Sequence, residues 1–205
     1  MSNWSDCVVS YFDMIGIRKR INSANSEASD LMRNFHIFVR RSIFTDMPTH
    51  DHAYVWNDSA VFLAFPQSDG DYETIMRELN ALKPKLDSIC PSYAICVKGQ
   101  AMPEPVCRYG TEAEGQPRFV FLKTSSYAFA NCFEVEKELS KRKRLRMDWY
   151  VDSHIARKIP NFPKCDRYAV TMLPSGRKRS VYVLKGSIWE QAQTTTFVRR
   201  NTQEP

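Results

Sequence analysis

The chain has no apolar run approaching the roughly 20 residues that a bilayer crossing requires, so it is not expected to span a membrane. No secretory leader is expected either. MSNWSDCVVSYFD puts an acid and a strand-like run where a signal peptide has a basic start and a longer apolar core, and the expected location is the cytoplasm. None of the six cysteines (Cys7, Cys90, Cys96, Cys107, Cys132, Cys165) belongs to a Cys-x-x-Cys pair, which removes the usual zinc-knuckle and redox frames. Scattered in this way they read as reduced, mostly buried small hydrophobes. There is no internal repeat and no low-complexity linker, so 205 residues read as one domain with small appendages.

The charge is unbalanced toward basic, +6 at neutral pH, which implies an anionic partner and suits a triphosphate pocket as well as nucleic acid. The strands lack the aromatic and basic interleaving of RNA-binding sheets, and the basic run from Lys141 to Arg146 reads as a solvated helix end. No nucleic-acid partner is expected.

Residues 7–13, CVVSYFD, are β-branched and aromatic and end on Asp13, which predicts a buried strand delivering an acid to its end. Gly16 follows in a short turn. Leu31, Phe35, Phe38 or Val39, and Ile43 recur at helical spacing over 26–43, with Ser23 or Ser26 available as the cap. The runs 53–56 (AYVW) and 61–65 (VFLAF) flank Asn57-Asp58-Ser59-Ala60, which is hairpin chemistry and puts Asp58 at the tip. A second helix is predicted over 72–89, ended or bent at Pro84, followed by a strand at 93–99. A polar loop over about 103–117 leads to a strand at 119–122. A third helix over 125–141, capped by Ser125 or Ser126, carries Tyr127, Ala130, Phe133 or Glu134, and Glu138 on one face. A strand at 147–151 and a hairpin around Pro174-Ser175-Gly176 complete the chain. The fold class is therefore α+β with a ferredoxin-like βαββαβ order and added C-terminal elements. A core of about residues 7–139 precedes a strand-and-hairpin region of about 147–189 in the same domain.

Asp13 and Asp58 stand out by context. With the hairpin beside the first strand, both carboxylates arrive at one end of the sheet and suit a hard divalent ion such as Mg2+ or Mn2+. By pattern alone they fit turn and strand-end residues equally well.

YFDMIGI (11–17) resembles the first signature of class III adenylyl and guanylyl cyclases, and WNDSAVFLAF (56–65) resembles the second. The acids lie 45 residues apart (58 − 13), which is also similar to the family spacing. The resemblance implies a nucleotidyl cyclase in which Asp13 and Asp58, with the backbone carbonyl of Met14, hold two metal ions. It implies that the amides of Met14, Ile15, Gly16 and Ile17 cradle the β- and γ-phosphates, with Gly16 permitting the close approach. It also implies a head-to-tail homodimer, each site joining the metal residues of one subunit to base and transition-state residues of the other.

Four residues before Asp58, where adenylyl cyclases carry a lysine that reads adenine, stands Tyr54. This substitution resembles the bacterial pyrimidine cyclases of the Pycsar anti-phage system, which implies UTP, then CTP, as substrate and a separate effector reading the product. The bland alternative is a strand aromatic. Taking Asn131 as the family's helical asparagine, the second base-reading place falls on Thr124, and Lys98 is a further base-binding candidate. The transition-state arginine expected four residues after Asn131 is replaced by Val135, leaving Lys98, Lys123, Arg118 and Lys185 as possible substitutes. Lys185 in VYVLKG resembles the late lysine that grips the triphosphate. Three other readings stand beside the pyrimidine cyclase: an ordinary purine cyclase, a catalytically inactive cyclase-fold domain that binds nucleotide or a partner, and a basic nucleic-acid-binding domain.

Overall fold

The computed structural model describes residues 4–22, 26–102, 107–109, 119–121, 125–142, 145–146, 148–163, 165–171, 176 and 178–185. Strand β1 (Ser5–Met14) is apolar on both faces and buried through most of its length, the pattern of a strand covered on both sides. Val8, Phe12 and Met14 enter one core, while Cys7, Val9 and Tyr11 enter another. After a turn come α1 (Ile17–Asn22), α2 (Ser26–Thr45), the hairpin of β2 (His52–Trp56) and β3 (Ser59–Ala64), α3 (Asp69–Ile89) and β4 (Ser92–Met102). Strand β1 lies between β3 and β4 and is antiparallel to both, giving the order β2-β3-β1-β4 of a ferredoxin-like βαββαβ unit.

Beyond β4, a separate ribbon pairs β5 (Cys107–Tyr109) with β6 (Phe119–Phe121), and β7 (Ser125–Ser126) pairs with the far end of β4. Then follow α4 (Tyr127–Lys141), β8 (Trp149–Asp152), α5 (Ser153–Ala156), β9 (Asp166–Thr171) and β10 (Lys178–Leu184). Strand β8 runs parallel to β4, and β10 and β9 add beyond it, so the sheet reads β2-β3-β1-β4-β8-β10-β9. The class is α+β, as expected from the element order.

Helices α2 and α3 cover one face with Phe35, Val39, Ile75, Met76, Leu79, Leu82 and Leu86. Helix α4 covers the other with Ala128, Cys132, Val135 and Leu139. That is a different stripe from the expected one. Tyr127 is mostly exposed, Phe133 packs from the edge beside Tyr11, and where the backbones come closest a small residue faces the sheet: a Cβ added at Gly99 would lie 2.7 Å from the Ala128 Cβ. Ser126 is the cap of α4, its Oγ accepting from the Phe129 amide at 3.0 Å.

Pro84 does not end α3, which continues to Ile89. An internal proline costs about 3 kcal/mol. Burial of Leu82 and Leu86 on either side, about 1.5–3 kcal/mol each, offsets it. The stretch expected to be all loop after β4 contains strand β5, and α1 and α5 are additional short helices.

One buried ion pair ties the tail to the core. Asp152 accepts from Arg179 Nη1 at 2.6 Å, from the Lys98 amide at 3.2 Å and from the His154 amide at 3.0 Å, while Arg179 also donates to the Lys98 carbonyl at 2.9 Å. Cys7, Cys90, Cys96 and Cys132 are free and buried, and burial pushes the Cys7 and Cys96 thiols up to about 12. No helix among the described residues is long and apolar enough to cross a membrane.

Candidate active site

Seven strand ends form one rim of the sheet: the ends of β1, β2 and β10 and the starts of β3, β4, β8 and β9. Asp13 lies here, opposite Ser59 on β3 and Tyr93 on β4. It follows Tyr11 by two residues, so both side chains point to the α4 side of the sheet. Its Oδ1 accepts from Ser59 Oγ at 2.6 Å and from the Tyr11 hydroxyl at 3.3 Å. Burial raises the Asp13 carboxyl above the usual range and the charge of Asp58 adds to this, while hydrogen bonds from Ser59, Tyr93 and Tyr11 pull it partway back.

Asp58 belongs to a two-residue loop between paired Trp56 and Ser59, with Asn57 in the left-handed region at φ 47°. The hairpin tip is fastened to the end of β1, since the Met14 amide donates to the Asp58 carbonyl at 2.9 Å. That bond is why the carboxylates of residues 13 and 58 share a rim and repel one another. Gly16 has φ 82°, a conformation side chains disfavour, and a Cβ there would meet nothing within 4 Å. Of the four amides expected to face phosphates, Met14 N is given to Asp58 and Ile15 N to the Pro91 carbonyl at 2.7 Å. Among the described residues, Gly16 and Ile17 are therefore the amides the turn has to offer. The Met14 side chain is buried in the core, so only its main chain can serve the rim.

Sequence reasoning missed Tyr93 and Glu136. The Tyr93 hydroxyl donates to Glu136 Oε1 at 3.2 Å and also stands within bonding reach of Asp13. Glu136 is raised above the usual range by burial and by the Asp13 charge, against the Tyr93 hydrogen bond. Burial pushes both the Tyr93 and Tyr11 hydroxyls far above the ordinary phenol range. Tyr11 and Ser59 were legible as neighbours in sequence of the two acids, whereas Tyr93 and Glu136 arrive only through strand register and helix docking.

Two mutually repelling carboxylates with hard oxygen donors fit Mg2+ or Mn2+, which take one or two carboxylates and complete their shells with water and substrate phosphate. Among the described residues no group of three or more His, Cys, Asp or Glu is arranged to hold a metal. The rim therefore fits an ion that shares its shell with a phosphate chain better than an all-protein cage.

Tyr54 on β2 pairs with Val61, which pairs with Tyr11, so Tyr54 lies on the same face as Asp13 and is half-buried against the α4-side core. Lys98 does not join it. It pairs with Val8, on the α2–α3 face, where its Nζ meets Asp6 Oδ2 at 2.9 Å and lies 5.6 Å from the centre of the Tyr72 ring. The sheet itself separates Lys98 from Tyr54, which corrects the expectation that they read one base together. Asn131 is half-buried on α4 and hydrogen-bonds to neither Asp13 nor Asp58, and Val135, at the place of the family arginine, is fully buried. Lys185 follows the last residue of β10 on the rim and lines a polar cavity of about 400 Å³ with Arg142, Arg146, Asp148, Asp166, Tyr168 and Val183. Thr124, Lys123 and Arg118 lie outside the described residues.

By sequence, no protein-family model and no curated protein matches the chain. By structure it is similar to the adenylyl cyclase CyaB from Pseudomonas aeruginosa, with a TM-score of 0.64 at 11% identity over 90% of this chain and 95% of that one. It has the fold of class III nucleotidyl cyclase domains. The guanylyl cyclase Cya2 superposes with a TM-score of 0.63 at 9% identity, covering 91% of this chain and 94% of the other. A class III adenylyl cyclase-like ATP-binding protein from Pseudomonas aeruginosa gives 0.50 at 13% identity, over 76% of this chain and 35% of that one. At these identities the likeness concerns the class III fold, and chemistry has to be argued from the rim.

Proposed function

We propose that the protein is a metal-dependent nucleotidyl cyclase that converts a pyrimidine nucleoside triphosphate, UTP before CTP, into its 3′,5′-cyclic monophosphate. The observation that carries this reading is the convergence of Asp13 and Asp58 on one rim of a class III cyclase fold, locked by the Met14–Asp58 backbone bond. In the reaction the ribose 3′-oxygen attacks the α-phosphorus, the bond from that phosphorus to the α–β bridging oxygen breaks, and pyrophosphate leaves with the electron pair. The hydroxyl proton passes to solvent. Bound Mg2+ or Mn2+ supplies charge neutralisation on the phosphates and acidifies the 3′-hydroxyl.

The chain's own residues position these groups. Asp13 and Asp58 hold the ions, with Asp13 aimed by Ser59 and Tyr11. Gly16 and Ile17 offer amides to the phosphates. Tyr54 fills space that a second ring of a purine needs, while Asn131 and Lys185 act from the second copy of a head-to-tail homodimer. The likeness at Tyr54 to pyrimidine cyclases of anti-phage systems extends the proposal to second-messenger synthesis in phage defence, with a separate effector for the product.

Incubating the protein with each of the four triphosphates and Mn2+ tests the reading: a cyclic pyrimidine product is expected, and Asp58→Ala should abolish it without unfolding the chain. Specific activity should also fall on dilution, since one site needs two chains. Buried Val135 favours a second reading, a domain that binds nucleotide without turnover. Binding of a triphosphate with no cyclic product from any of the four would establish it instead.

A further inference from the structure

Helix α4 cannot supply an arginine at Val135, yet the same helix ends in one. Arg142 follows the last residue of α4, and with Arg146 and Lys185 it lines the polar cavity of about 400 Å³ at the rim. That volume is within the range of small-molecule sites. Two of these cations are set in place by the fold. Arg142 Nη1 donates to the Ala169 carbonyl at 3.2 Å. Arg146 is fixed through its backbone, its amide donating to the Tyr150 hydroxyl at 3.0 Å and its carbonyl accepting from the Asp148 amide at 2.7 Å.

Asp148 and Asp166 line the same cavity, so three cations face two carboxylates. Arg142 Nη2 lies 3.8 Å from Glu138 Oε2 at the helix end, whereas neither Arg146 nor Lys185 forms an ion pair with any acid among the described residues. Guanidinium groups suit phosphate oxygens by geometry as well as charge.

We infer that Arg142 and Arg146, with Lys185, form a polyphosphate-binding site that supplies the cationic charge missing at Val135. The assignment rests on the cyclase reading for its role, though not for its ligand chemistry. Three strand spacings of about 4.8 Å separate β10 from β1, placing the cavity's Lys185 roughly 14 Å from Asp13. In the head-to-tail homodimer of the proposed function the cavity serves the carboxylate pair of a second copy, and each copy contributes the missing charge to the other's site.

The test uses inorganic tripolyphosphate as the probe, titrated calorimetrically into metal-free protein. The wild type should bind it more tightly than orthophosphate and more weakly as salt rises. Arg142→Ala/Arg146→Ala should weaken binding at least tenfold, and Arg146→Ala alone, exposed and held by its backbone, keeps the test readable if the double variant unfolds. Mixing Asp58→Ala protein with the double variant should restore turnover that neither has alone. Unchanged tripolyphosphate binding by folded variants would overturn the site, and a mixture no better than its parts would overturn its service to a second copy. Loss of binding in the variants of a protein that cyclises no triphosphate would leave the anion site standing and remove the cyclase reading.

Discussion

Ser59 and Asp13 stand directly opposite one another on adjacent strands, joined by a 2.6 Å hydrogen bond from the serine hydroxyl to a carboxylate oxygen. The same serine Oγ lies 3.1 Å from the Tyr11 hydroxyl, which also bonds Asp13. The carboxylate is thus aimed before any ion or nucleotide arrives. Since preorganisation of this kind matters most to what the carboxylate binds, its loss should appear first in metal dependence.

Ser59→Ala removes one hydrogen bond to a charged group, worth about 1.5–3 kcal/mol, and leaves the methylene packed. We expect the Mn2+ concentration for half-maximal turnover to rise about tenfold, alongside a lower melting temperature from the lost bond. Mn2+ titration followed by electron paramagnetic resonance, with no nucleotide present, should show the same shift. An unchanged metal requirement would leave Ser59 with a packing role only.

Asp13 itself should cost stability when charged. Its folded carboxyl titrates above the unfolded one, so the folded state holds the extra proton between the two values, and stability falls as pH rises through that window. Above it the loss is complete. Asp13→Asn keeps an acceptor for Ser59 and Tyr11 but carries no charge, so metal-free mutant should melt higher than wild type at neutral pH and lose the advantage in acid. It should also be inactive. Melting curves across the acid range check the sign, and a mutant less stable at neutral pH would contradict it.

The legible parts of this molecule obey local rules. Asp13 closes a strand, Gly16 sits where φ is positive, and Asn57-Asp58 makes a two-residue hairpin, each readable within a few residues. What was not legible depends on close approach or distant register. The α4 stripe was misassigned because large residues look like core, whereas at Gly99 the helix comes so near the sheet that the small Ala128 is the residue facing it. Lys98 looked like a base reader until its register with Val8 put it on the opposite face. Glu136 meets Tyr93 from 43 residues away, and no spacing rule announces such a pair.

The tail's attachment makes a separate prediction. Asp152 is fully buried and receives Arg179 and two backbone amides, so Asp152→Ala strands a guanidinium and two donors together. Breaking one side of a buried pair costs about 3–5 kcal/mol. Urea unfolding should show a loss of unfolding free energy of that size, with Asp152→Asn milder because it retains an acceptor. A shift under about 1 kcal/mol would mean that β10 is held by its strand pairing alone.

Base choice is the finest consequence of the rim. Tyr54 shares a cross-strand row with Val61 and Tyr11 on the face of Asp13, and on the proposed reading its half-buried ring would take up the room of a purine's second ring. Exclusion of this kind acts on every purine, and a wrong base that leaves polar groups unpaired adds about 1–3 kcal/mol for each. Wild type should therefore show a higher kcat/KM for UTP than for ATP or GTP, with CTP second. Tyr54→Ala should lower pyrimidine turnover at least tenfold, about 1.4 kcal/mol, because the ring also supports the correct base, and should narrow the gap to purines. The check is the set of four kcat/KM values on both proteins. A mutant with an unchanged pyrimidine preference would make Tyr54 a strand aromatic, and a wild type that prefers ATP or GTP would make the protein a purine cyclase.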